Sequence, residues 1–76
     1  MTPEAFCAAI DEELAQLSSD DAWARGARGL CEMYAGAEAV RFELILSQMA
    51  RGSAGSALVE GARWLLPRWR DRRDNR

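Results

Sequence analysis

The residues best equipped for chemistry lie near one end of the chain. Six arginines fall between Arg63 and Arg76, interleaved with Trp64 and Trp69. An indole offers a flat apolar face, and a guanidinium offers five N–H donors on a charged plane. Together they can stack on bases and contact phosphates, anchor a protein interface, or lie on an anionic membrane surface. Asp71 and Asp74 dilute the positive charge, which favours a protein surface over nucleic acid. Trp64, Arg68, Trp69, Arg70, Arg72 and Arg73 are therefore the candidate partner-binding residues. The bland alternative is a solvated tail with both tryptophans packed on the core.

Catalytic chemistry is poorly supplied. The chain has no histidine, so the usual general base near neutral pH is missing. Neither a Ser-His-Asp nor a Cys-His arrangement can be built within it. Cys7 and Cys31 both sit among apolar residues and read as small hydrophobes. A single disulfide between them stays open, although nothing points to an oxidising compartment. Asp20 and Asp21 read as ordinary electrostatics at a helix N-terminus rather than as a metal or acid–base pair. Residues 51–56, rich in glycine and serine, lack the Gly-Lys-Ser/Thr and the preceding strand of a phosphate loop. The expectation is no enzyme, no cofactor and no metal.

The elements that must position these residues read as helices throughout. Thr2-Pro3-Glu4 is a cap, a first-turn proline and a first-turn acid. Phe6, Ile10, Leu14 and Leu17 then line one face, predicting a helix over residues 3–17 that packs in a hairpin on the Trp23–Tyr34 face. Residues 18–21 form the connection, with Ser18 and Asp21 spaced as a capping box. Residues 20–50 read as the organising stretch, either one helix of about 46 Å or two helices meeting near Gly36. Trp23, Ala27, Leu30 and Tyr34 mark the first half, and Phe42, Ile45, Leu46 and Met49 the second. The apolar centre swings by roughly a quarter turn between the halves. Alternation at residues 40–44 competes as a strand signal, but Ile45 and Leu46 break it. A final helix is predicted from Ala57 to Leu66. Pro67 ends or kinks it, and a mild kink lets Trp69 continue the stripe. Tyr34 reads as a core residue with its hydroxyl at the edge.

Three glycines in the central stretch need a reason, because each costs about 1 kcal/mol relative to alanine inside a helix. Ala22, Gly26, Gly29, Met33, Gly36 and Val40 follow alternating steps of four and three, a seam of mostly small residues that allows close helix approach. This seam is the candidate self-association surface.

Seventy-six residues make one domain at most. Chains this short bury a thin core and often need oligomerisation, metal or disulfides. All ten basic residues are arginine, and arginine and alanine use GC-rich codons, which suggests a high-GC bacterium or its phage. Residues 1–38 carry two arginines against eight acids, and residues 39–76 carry eight arginines against four acids. An acidic front and a basic back can pair with each other or address two surfaces. No apolar run is long enough to span a membrane, and a cytoplasmic location is expected.

The fold expected is all-α: a small helical hairpin or three- to four-helix bundle with a long central helix, broken or continuous at Gly36, completed by homodimerisation. Residues 1–70 form the domain and residues 71–76 a charged, frayed tail. The function expected is a non-enzymatic protein-binding module: an adaptor, inhibitor or regulator. The alternatives are a nucleic-acid-binding regulator using the arginine-rich segment, or a structural subunit of a larger assembly.

Overall fold

In the computed structural model, which describes residues 1–53 and 55–74, four helices follow one another: α1 (Pro3–Leu17), α2 (Ala22–Tyr34), α3 (Ala39–Ala50) and α4 (Ala57–Asp74). No strand occurs among the described residues. Ala54 of the glycine–serine break and Asn75 and Arg76 of the expected tail lie outside the described residues.

Helix α1 starts as its sequence dictates. Thr2 is extended, its Oγ1 accepts the Ala5 N–H at 3.1 Å, and Pro3 occupies the first turn. It stops at Ser18, which turns left-handed at φ 52° and donates its N–H to the Leu14 carbonyl. Ser18 thus closes α1 and does not open α2, which corrects the capping-box expectation. Asp21 precedes α2 without a side-chain cap bond, and Ser19 Oγ accepts the Asp21 N–H at 3.3 Å.

The central stretch is two helices. Helix α2 ends at Tyr34, the Ala37 N–H folds back to the Tyr34 carbonyl at 3.0 Å, and α3 begins at Ala39. The swing of the apolar stripe is the physical reason. A break lets Ala27 and Leu30 on α2, and Phe42 and Leu46 on α3, all turn inward. Residues 40–44 are helical, with Phe42 buried and both Val40 and Leu44 exposed.

Helix α4 is the longest element at 18 residues, and it runs through Pro67 to Asp74. Of the alternatives for Pro67, an end or a kink, the end at Leu66 is corrected. Proline removes one N–H and leaves the carbonyl four residues back without its partner. Pro67 and Arg63 are both exposed, so the loss falls on the outer side of α4. Continuing the helix carries Trp69 into the core. The helix also continues across the boundary expected at residue 70.

The organising element is therefore α4, which packs most extensively on α2 and next on α3. Its contact with α2 is close enough to exclude side chains. A Cβ at Gly26 would run into the Ala57 carbonyl, and one at Gly61 would meet Gly26 Cα at 2.9 Å. Gly26, which weakens α2 as an isolated helix, is what admits α4. The core centres on three aromatic rings from three helices. Phe6 (α1), Phe42 (α3) and Trp69 (α4) meet edge to face, with centroids 5.0 to 5.9 Å apart. Ile10, Leu14, Leu30, Leu46 and Leu65 complete it, all fully buried. Leu17, expected on the inner face of α1, is exposed. The expected hairpin of α1 on the Trp23–Tyr34 face also changes: Trp23 stacks on Trp64 of α4, and α1 meets α2 through a smaller contact.

Candidate protein-interaction surface

The six residues singled out on α4 separate by helical geometry. Trp69 points inward and is 1% exposed. Its indole N–H donates to Glu43 Oε1 at 3.0 Å, which satisfies the one polar atom the ring carries inside. Trp69 is thus a core residue rather than an exposed anchor. Trp64 is half-buried against Trp23, with centroids 4.9 Å apart, and the Arg68 guanidinium lies 3.8 Å above its ring.

The arginines divide between two acids. On the α1 side, Arg68 and Arg72 approach Glu13 at 3.7 and 3.8 Å, and the Arg72 guanidinium sits 5.3 Å from the Phe6 ring centroid. On the α3 side, Arg70 approaches Glu43 at 3.9 Å and donates to Ser47 Oγ at 3.3 Å. Arg73 pairs with Glu43 and with Asp74. The bond to Asp74, followed by Glu43, pushes the Arg73 guanidinium further above its ordinary value. The acidic front meets the basic back inside one molecule through Glu13. Arg72 Nη1 is buried without a hydrogen-bond partner.

The other candidate group, the small-residue seam, does not form one surface. Gly26 is buried against α4, and Gly29 faces Leu58 of the same helix at 3.6 Å from an added Cβ. Ala22 and Met33 are exposed on α2, Gly36 is exposed in the α2–α3 link, and Val40 is exposed on α3. The close approach foreseen for these small residues is met at Gly26 within the chain.

One face of α3 stands open. Val40 is 82% and Leu44 is 55% exposed, four residues apart and therefore neighbours on the helix surface. Beside them runs a groove of about 330 Å³ between α3 and α4. Ala39, Val40, Leu44 and Ser47 form one wall, Trp69 contributes to the lining, and Glu43 with Arg73 supplies the polar edge. In the sequence Val40 and Leu44 are as apolar as the Phe42, Ile45, Leu46 and Met49 stripe beside them. Their exposure follows only from the direction in which Phe42 and Leu46 are pulled.

Among the described residues no group of three or more histidine, cysteine or acidic side chains could hold a metal ion. No described helix is long and apolar enough to cross a membrane. Cys7 on α1 and Cys31 on α2 are free and buried in the same apolar cluster. Compared with protein-family models, curated proteins and solved structures, the chain matches none.

Proposed function

We propose that the chain is a small non-enzymatic protein-binding module whose capture surface is the α3 face around Val40 and Leu44. The observation that carries this reading is the pair of large apolar side chains standing in solvent beside the α3–α4 groove. An apolar centre with a charged edge is the usual anatomy of a binding patch. A stripe of residues four apart beside a groove suits an amphipathic helix. A second copy of the chain offers such a helix in α3 itself, and a two-fold pairing of the two α3 faces is the form homodimerisation would take. The arginine-only basic set supports a high-GC bacterial or phage setting, and the role is that of an adaptor, inhibitor or regulator.

The nucleic-acid reading has less support. Arg68, Arg70, Arg72 and Arg73 are engaged by Glu13 and Glu43, which neutralise the charge that phosphates would need. The sequence pI is about 5.0.

The test is a comparison of the wild-type chain with a Val40→Glu/Leu44→Glu variant. Each is used for capture from a nuclease-treated lysate of a high-GC bacterium and for light scattering at tens of micromolar. Both sites are exposed, so the variant keeps its helical circular dichroism. The wild type retains a stoichiometric partner, or a second copy of itself, and the variant loses it. A partner held equally by both would move the interface elsewhere. Capture abolished by nuclease alone would favour nucleic acid.

A further inference from the structure

Helix α1 joins the rest of the molecule through a left-handed residue. Among the described residues Ser18 is the one other than glycine with a positive φ, at 52°. A side chain in that conformation crowds the backbone and is disfavoured by roughly tenfold. On one side Ser18 belongs to α1. Its N–H donates to the Leu14 carbonyl at 3.0 Å, and its hydroxyl donates to the Ala15 carbonyl at 3.2 Å. The residues that follow belong to α2. Arg28 Nη2 donates to the Ser19 carbonyl at 2.9 Å, and Arg25 Nη1 donates to the Asp20 carbonyl at 3.2 Å. The link is thus held on both sides of Ser18, and strain and pivot coincide in that one residue. The surface on which α1 docks comes largely from further along the chain. Phe6 meets Phe42 of α3 and Trp69 of α4, and Glu13 approaches Arg68 and Arg72 of α4. A second copy presents the same side chains to an incoming α1.

We propose that α1 is an exchangeable element, and that the cradle formed by α2, α3 and α4 accepts the α1 of a second copy of this chain. Two chains trade their α1 helices across a two-fold axis, so each cradle is filled by the other chain's helix. The contacts of the inner face, from Phe6, Cys7, Ile10 and Leu14, are reproduced between chains, and the core is unchanged. What differs is the hinge. The closed monomer needs Ser18 left-handed, and the exchanged dimer does not. Short hinges under strain favour such exchange, and the strain of two hinges is released in each dimer. Against it stands the lost freedom of one chain relative to the other, so exchange gains as concentration rises. The two forms interconvert slowly, because Phe6, Ile10 and Leu14 must all leave the core and enter water on the way. This surface is separate from the α3 face around Val40 and Leu44, and it fits a different occupant.

The experiment unfolds the full chain in guanidinium chloride with dithiothreitol and refolds it at millimolar and at micromolar concentration. Size exclusion with light scattering then counts the chains. Concentrated refolding gives a dimer with the helical circular dichroism of the monomer, and dilute refolding gives the monomer. Ser18→Gly removes the penalty in the monomer and weakens the dimer by roughly 100-fold, about tenfold for each of two hinges. Ser18→Val, β-branched and worse when left-handed, strengthens it. In a dimer refolded from mixed isotope-labelled and unlabelled chains, NMR contacts join Phe6 of one chain to Phe42 and Trp69 of the other. The absence of a dimer at millimolar concentration would overturn the proposal. So would a dimer indifferent to Ser18→Gly, or Phe6 contacts confined to one chain. The exchanged dimer survives Val40→Glu/Leu44→Glu. Its loss in that variant would assign the dimer to the α3 face and overturn exchange, whereas failure of the α3 face to bind anything leaves exchange standing.

Discussion

At the scale of single residues, the arginines that look like ligands for an outside partner act mainly on their own chain. Arg63 is the clearest case. Its Nε donates to the Ala50 carbonyl and its Nη2 to the Gly52 carbonyl, both at 2.9 Å. Those groups lie at the C-terminal end of α3, where helix carbonyls lack intrahelical donors and the helix dipole favours a cation. Arg63 also approaches Glu60 at 3.4 Å, but that pair is exposed and contributes little. Arg63→Ala should therefore cost about 1–2 kcal/mol of stability, through the carbonyls rather than the ion pair. Glu60→Ala should cost under about 0.5 kcal/mol. Urea unfolding of the two variants separates these origins. An equal loss in both would assign the effect to the ion pair.

At the scale of elements, the crossing of α2 and α4 decides the architecture. Gly26 and Gly61 bring two helix backbones together, so added methyl groups must push the helices apart. Gly26→Ala should destabilise by roughly 2–4 kcal/mol, because the clash outweighs the gain of about 1 kcal/mol in helix propensity. Gly29→Ala is the internal control. A Cβ there meets only the end of Leu58 at 3.6 Å, an ordinary contact. It should stabilise by up to about 1 kcal/mol. Thermal unfolding of both variants checks this, and stabilisation by Gly26→Ala would rule out the close crossing.

Sequence reading reached parts of this and missed others for identifiable reasons. The span of α1 was legible because its signals are local: Thr2 and Pro3 set the start, and Phe6, Ile10 and Leu14 set the buried face. The choice of helix over strand at residues 40–44 was legible from Ile45 and Leu46. The small-residue seam showed that something approaches α2 closely. It could not show that the visitor is Gly61, thirty-five residues past Gly26, in the same chain. Pro67 carries a real local penalty, and only the tertiary burial of Trp69 outweighs it. The pairing of Glu13 with Arg68 and Arg72 depends on how helices lie across one another. The open α3 face was hidden for the same reason: Val40 and Leu44 look as apolar as Phe42 until the direction of α4 is known.

At the scale of the whole molecule, the chain closes a core on its own. Its accessible surface of 4752 Å² is near the roughly 4600 Å² expected for a folded monomer of this mass. The interior is filled without a second chain, so the partner capture proposed above falls to the exposed α3 face. The arrangement of the helices around α4 depends on Trp69. Its ring touches Phe6 and Phe42, and its N–H reaches Glu43, so one side chain joins α1, α3 and α4. If Trp69 were instead a partner anchor, truncating it would leave the fold intact and affect capture alone. The most direct measurement is urea unfolding of Trp69→Ala beside the wild type. The account predicts a loss of about 3–5 kcal/mol, enough to leave a domain this small largely unfolded. A midpoint within about 0.5 kcal/mol of the wild type would contradict it and return the C-terminal tryptophan to the surface.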